Sequence, residues 1–436
     1  MALTALLAAA TVLAACSSSK SSSASQSSAP TTAAGGATAT TAGGGAPATT
    51  AAAAAADPLG TPNAASGTPV KVGFISDGKT ANIDNSSEKG STAAAVKYIN
   101  DYLGGVGGHP ISLDYCETQQ TPSGATDCGN QMIADKVPVV VMNVSGQAGA
   151  AYKPIAAANI PFVGYQVADA AVLQAKTGTY ILANPLVSSF AGPAKIGQLD
   201  GAKKAADITI DVPAASGPAK ALDPAFYKNA GLTVDVVAIP PGTADMTPQI
   251  QAELAKGPDL FHVTGDVPFC TSAIKALKTI GFTKDIVVIA QCISATSAAS
   301  IPGGYAGVKL VTEATNAPTD ADVKIYTAAM AKYSPDTPPF VNGVTQGAFA
   351  VLWAFARATS GITGDVTSTS VETAFTTATA QPLPFGGGTT FQCTGTQVAI
   401  TPSVCSTGAL EATLDQSGNP TGTFTPLDAT ALLKLG

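Results

Sequence analysis

A short apolar run, Pro138-Val-Val-Val-Met-Asn143, stops at Val144-Ser-Gly-Gln-Ala-Gly149, a loop of small and polar residues. Ser145 offers a hydroxyl, Gly146 an unencumbered backbone N–H, and Gln147 stands where a helix begins; together they suit an anionic or carbonyl group of a ligand. Residues for covalent or acid–base chemistry are sparse. The chain has two histidines. His109 lies in the glycine-rich turn Gly104-Gly-Val-Gly-Gly-His-Pro110 and is expected to be exposed. That turn follows a helix and precedes a strand, the reverse of a phosphate loop. His262 falls inside the apolar run Leu260-Phe-His-Val-Thr264 and reads as a satisfied core histidine. Asp259 and Asp266 flank that run, an ordinary spacing for paired carboxylates. There is no G-x-S-x-G elbow, Walker loop, H-E-x-x-H motif or strand-following G-x-G-x-x-G. The expectation is a binding protein, not an enzyme, with no cofactor and no metal.

Seven cysteines divide into one near the start, Cys16, and six that fall into close pairs: Cys116 with Cys128, Cys270 with Cys292, and Cys393 with Cys405. Met1 to Ala15 is apolar, carries no Lys or Arg, and is too short to span a bilayer; it reads as a secretory signal. Its end, Leu13-Ala-Ala-Cys16, resembles the bacterial lipobox, which implies cleavage before Cys16 and lipidation of that residue. In an exported protein the other six cysteines are expected to form disulfides. Fifteen connectivities exist, of which sequential pairing is the simplest. No Cys-x-x-Cys spacing supports zinc instead. Ser17 to Gly67 consists of Ser, Ala, Thr, Gly and Pro with few other residues. It cannot bury enough apolar surface to fold, and as a flexible tether it would reach roughly 40 Å.

The 436-residue chain is 45% hydrophobic and 12% charged, with a net charge of −7. The charged share is about half the usual ~25%. With no basic cluster in the folded part, nucleic acid is excluded as a partner. The elements that must position the Ser145 loop alternate. Strands are expected at Val70–Ser76, Ile111–Tyr115, Pro138–Asn143, Asn159–Gly164 and Thr179–Asn184. Helices are expected from Asn85, where Asn85-Ser-Ser-Glu88 reads as a capping box, to Leu103, over Thr121–Asp135, and over Ala150–Ala158. Leu186 to Ala205 reads as a helix interrupted by Pro193. A second βα block follows: strands at Asp207–Val212, Leu232–Ala238, Pro258–Thr264 and Asp285–Ala290, with helices at Ala219–Ala230, Thr247–Lys256 and Phe269–Ile280. Gly307–Thr312 reads as a strand, and Thr319–Tyr333 and Val341–Thr359 as helices, the last with Trp353 in a core. Regular βα alternation in two blocks predicts two doubly wound parallel-sheet lobes with a cleft between them. Ligands bind such sheets at the carboxyl ends of the strands, where Ser145 stands.

A helix ending Asn100-Asp-Tyr-Leu-Gly-Gly-Val-Gly-Gly-His-Pro110, then a strand ending Asp114-Tyr115, resembles the branched-chain amino acid substrate-binding proteins of ABC transporters. The resemblance covers Val70 to Gly436. It implies a type I periplasmic-binding-protein fold: two α/β lobes joined by a three-crossover hinge, crossed near Asn184–Ser188, Val311–Thr315 and Gly386–Thr396. The divisions that follow are 1–15 signal, 16–67 lipidated cysteine and tether, 68–186 and 311–388 first lobe, 187–310 and 389–436 second lobe. The resemblance also implies roles. Ser145, with Gly146 and Gln147, matches the loop that meets a ligand carboxylate, and Tyr165 and Gln166 the second contact. An acid expected after Asp285–Ala290 is replaced by Gln291-Cys292, with Asp266 at the neighbouring strand end, and Ile83 stands where a tyrosine is usual.

The function so implied is capture of a small polar organic solute, an amino acid or related compound. The protein would be a monomer, anchored by lipid to the outer face of the cell membrane, delivering the solute to ABC permease subunits. An extracellular ligand sensor with the same clamp is the alternative, and a cell-surface enzyme a third reading.

Overall fold

The computed structural model describes residues 57–80, 84–340 and 343–435. Strands β1 (Val70–Ser76), β2 (Ile111–Glu117), β3 (Val140–Met142), β4 (Phe162–Gly164) and β5 (Thr179–Ile181) form a parallel sheet in the order β2-β1-β3-β4-β5. The continuous apolar character of β3 has a direct cause. Val139 and Val141 enter the core beneath helices Ser87–Tyr102 and Val344–Thr359, while Val140 and Met142 enter the opposite core beneath Pro122–Ala134 and Ala148–Ala157. A strand covered on both faces alternates between two apolar environments, so the sequence shows no alternation.

The second sheet contains β6 (Lys204–Ile210), β7 (Thr233–Ile239), β8 (Leu260–Thr264), β9 (Asp285–Ile289) and β10 (Lys309–Thr312), all parallel. After the short pair β11 (Gln381–Pro382) and β12 (Thr390–Phe391), β13 (Gly408–Thr413) and β14 (Thr425–Asp428) add to its edge in antiparallel fashion. The order is β14-β13-β10-β9-β8-β6-β7. The chain leaves the first sheet after β5, returns through Glu313–Asn316, and leaves again between Ser406 and β13. That third passage lies later than Gly386–Thr396, because the loop closed by Cys393 and Cys405 packs on the first lobe, with Val404 pairing alongside Ile181. Among the described residues no helix is long and apolar enough to cross a membrane.

The three sequential disulfides form. Cys116–Cys128 fastens β2 to the helix that follows it, and Cys270–Cys292 fastens the helix after β8 to the turn after β9. Trp353 is buried in the first lobe against Tyr98, Phe349 and Phe385, with Arg357 over its ring.

Several local expectations change. β6 begins at Lys204, because the helix Gly192–Leu199 stops ahead of Gly201, whose φ of +76° suits only glycine. The next helix begins at Pro213, where proline fits the first turn, and carries Pro218 and Pro224 inside it. His109 is partly buried, its ring pinned between the carbonyls of Thr68 and Gly364. A helix over Ser368–Thr377 was hidden by its polar composition; only Val371 and Phe375 are buried. Glu88 closes no capping box. It turns inward, where it bonds the Ser76 hydroxyl and accepts from Asn143 Nδ2 at 2.9 Å.

Burial pushes the Glu88 carboxyl up to about 8, against the hydrogen bonds from Ser76 and Asn143. The folded state therefore favours the protonated acid. This contribution to stability is complete below the ordinary value of 4.5 and is lost as pH rises through about 8. Glu88→Gln keeps an acceptor for Asn143, cannot ionise, and turns an amide N–H to the Ser76 hydroxyl, which can rotate to accept it. Thermal melts across pH should show it more stable than wild type near pH 8.5 and nearly equal near pH 5; a pH-independent difference would assign Glu88 no proton.

Candidate functional site

A cavity of about 390 Å³ opens between the two sheets, within the range of small-molecule sites. The first lobe contributes Tyr165 and Gln166, just after β4, and Gln346 and Gly347, at the start of helix Val344–Thr359. The second contributes Gln291 and its neighbours after β9, Leu310 and Thr312 of β10, and the Ser417–Pro420 turn between β13 and β14. Phe340 and Phe424 supply aromatic surface. No charged side chain lines the cavity among the described residues.

The polar groups are held from behind. Gln166 Nε2 donates to Glu313 Oε2 at 2.6 Å, and the Ser188 hydroxyl donates to the other oxygen. Burial holds the Glu313 carboxyl above the ordinary glutamate range. Gln346 Nε2 donates to the carbonyl of Thr315 at 2.7 Å. Each amide thus uses one N–H on the hinge segment and keeps its oxygen and its second N–H. Gln291 has no hydrogen-bond partner among the described residues. Its loop is fixed on one side by the Cys270–Cys292 disulfide and on the other by Tyr305, whose hydroxyl donates to the Cys292 carbonyl at 3.1 Å. In the Ser417–Pro420 turn, Asp415 Oδ1 accepts from the N–H groups of Ser417 and Asn419.

The site residues expected from sequence separate into two groups. Gln166 and Gln291 come together on the cavity, while Tyr165 lies fully buried in the wall behind it. Ser145, Gly146, Gln147 and Asp266 are not in its lining. The Ser145 hydroxyl donates to Asp77 Oδ1 at 2.6 Å and accepts from the Gln147 N–H at 2.9 Å; the Gly146 N–H donates to Asp77 Oδ2 at 3.1 Å. Thr118 Oγ1 adds a bond to Asp77 at 2.7 Å. The loop that looked ready for an anion holds one supplied by the chain itself, at the point where the strand order reverses between β1 and β3. Asp266 caps the helix Val267–Thr279, accepting from the Phe269 N–H at 3.0 Å. Ile83 lies outside the described residues, as do Cys16 and the tether up to residue 56. Sequence reading missed Glu313, Gln346 and the β13–β14 turn, which carry no motif. It also missed Asp77, whose signal was its place at the end of the first strand.

The sequence pattern of the family described as periplasmic binding protein matches residues 69–403. The chain belongs to that family. None of the curated proteins matches it in sequence. Among solved structures, it is similar to an ABC transporter substrate-binding protein from Sphaerobacter thermophilus, at 17% identity and a TM-score of 0.67, covering 83% of this chain and 96% of that one. A leucine-, isoleucine-, valine-, threonine- and alanine-binding protein from Brucella ovis gives 16% identity and 0.67, covering 83% and 94%. A solute-binding protein from R. palustris, solved with 4-hydroxybenzoate, gives 16% and 0.62, covering 83% and 96%. These likenesses establish the two-lobed type I fold.

In this periplasmic binding protein Asp77 joins the loops after β1, β2 and β3. Asp77→Asn replaces one carboxylate oxygen with a donor facing another donor, Ser145 or the Gly146 N–H. Equilibrium denaturation should show a loss of about 1–3 kcal/mol, the cost of a buried unsatisfied group; an unchanged midpoint would remove Asp77 from this joining role.

Proposed function

We propose that the protein is the solute-capturing component of an ABC importer and that its solute is a small, uncharged, polar organic molecule. The observation that carries this reading is the interlobe cavity lined by glutamine, asparagine, serine, threonine and aromatic side chains, without a charge among the described residues. A free α-amino acid needs a partner for each of two charges, since burying an unpaired charge is costly. The loop suited to its carboxylate is taken by Asp77, and among the described residues the cavity lining offers no acid for its ammonium. An uncharged solute needs only the amides of Gln166, Gln346 and Gln291 and a ring face.

In this reading Gln166 and Gln291 touch the solute, Tyr165 backs the wall beside them from a fully buried position, and closure of the second lobe brings Gln291 onto it. Mass spectrometry of the small molecule released from purified, denatured protein identifies the class. With that solute, titration calorimetry of Gln166→Ala and Gln291→Ala should show affinity falling roughly tenfold for each, since a neutral hydrogen bond is worth about 0.5–1.5 kcal/mol. A carboxylated or ammonium-bearing solute, or unchanged affinity in both variants with intact melts, would reject the assignment.

The reading includes a tethered location outside the cytoplasm, with Cys16 lipidated and residues 17–67 as the leash to a membrane permease. It rests on Leu13-Ala-Ala-Cys16 and the low-complexity stretch after it. Cys16→Ala should abolish incorporation of labelled palmitate and shift the protein from the membrane fraction; continued labelling would place the anchor elsewhere.

A further inference from the structure

The second lobe contains a polar cluster that the solute site does not use. Asp207 on β6 and His262 on β8 are register partners in adjacent parallel strands, so both side chains leave the same face of the sheet. Asp223 and Tyr227 lie on the helix Pro213–Asn229, one turn apart on a single face. All four side chains are fully buried. Both oxygens of Asp207, both oxygens of Asp223, His262 Nδ1 and the Tyr227 hydroxyl lack a hydrogen-bond partner. His262 Nδ1 faces Asp207 Oδ1 at 3.3 Å, and no Lys or Arg among the described residues pairs with either carboxylate. One donor atom each from Asp207, Asp223 and His262 lie within 4.8 Å of one another.

Two carboxyl groups placed together in an apolar core, with the His262 ring nitrogen at 3.3 Å as the nearest basic group, are strongly unfavourable unless something compensates them. We infer that Asp207, Asp223 and His262 form a closed structural site for a divalent transition-metal cation of the zinc class, with Tyr227 beside them as a fourth donor. The charge balances, two carboxylates against one dication with a neutral imidazole. The imidazole argues against calcium and magnesium, which take oxygen ligands, and favours zinc or a neighbour in the series. Bonds of about 2.0–2.2 Å would draw the three donor atoms, now within 4.8 Å of one another, closer together. His262 Nε2 lies 2.9 Å from Thr264 Oγ1. With Nε2–H donating there, the Nδ1 lone pair is turned to the carboxylates, the usual outer support of a metal-bound histidine. No cavity-lining residue belongs to the cluster, and its burial leaves no open position for a substrate, so the ion would pin the helix Pro213–Asn229 to the sheet.

The test uses the full chain, expressed without a histidine tag and purified without chelator. Elemental analysis should find about one equivalent of zinc or another divalent transition metal per chain. Unfolding in guanidinium with EDTA, removal of both, and refolding with or without zinc should give a melting temperature higher by at least about 5 °C when zinc is present. Asp223→Asn and His262→Ala should lose the metal. If those variants do not fold, the wild-type comparison decides by itself. Less than about a tenth of an equivalent, together with refolding indifferent to zinc, would overturn the site; so would metal retained at full occupancy in both variants.

Discussion

Two buried carboxyl groups, Asp77 and Glu88, and the requirement that each be hydrogen-bonded, organise the cleft side of the first lobe. A buried carboxyl without donors is too costly to keep, so every neighbouring element is recruited to supply one. Asp77 draws Thr118 from beyond β2 and Ser145 and Gly146 from beyond β3. Glu88 draws Ser76 from the end of β1 and Asn143 from the end of β3, and Asn143 Nδ2 also reaches the Val344 carbonyl, where the long core helix begins. Three strand ends and two helix starts are thereby fixed by one connected set of polar contacts.

That arrangement decides what the cleft can offer a ligand. The donors at the strand-order reversal are already used within the protein, so the cavity lies to one side of it, over the ends of β4, β9 and β10. A third buried carboxylate, Glu313, repeats the logic at the hinge: it takes donors from Gln166 and Ser188 and so orients an amide that faces the cavity. Charge is kept one layer behind the lining. The surface presented is neutral, polar and partly aromatic.

The two lobes are also tied mechanically. One apolar cluster runs from Ile75, Val140 and Phe162 of the first sheet through Leu186, Val187 and Phe190 to Leu260 and Val311 of the second. The chain passes between the lobes three times beside it. Such a connection resists sliding and permits opening and closing, the motion expected of a clamp. The disulfide Cys270–Cys292 and the Tyr305 hydroxyl stiffen the wall that carries Gln291, so that closure would move it as a unit.

Local pattern determined much of this protein. The apolar β3 run, the βα alternation, the glycine-rich turn before β2 and the three neighbouring cysteine pairs are all short-range, and each was readable because its cause lies within a few residues. Where local signals conflicted, the reading slipped: the prolines near Pro213 hid a helix start, and the Ser/Thr-rich segment Ser368–Thr377 hid a whole helix. The site was legible in part. Tyr165, Gln166 and Gln291 follow strand ends and could be placed at the cleft. The partner of Ser145 could not, because Asp77 meets it only through the register of β1 with β3. Gln346 and Glu313 reach the cavity only once helix and hinge are packed. The gathering of Asp207, Asp223 and His262 depends on the pairing of β6 with β8 and the docking of a helix over both. Tertiary structure alone decides such contacts, because side chains far apart in sequence meet through backbone pairing and packing, which leave no local periodicity to read.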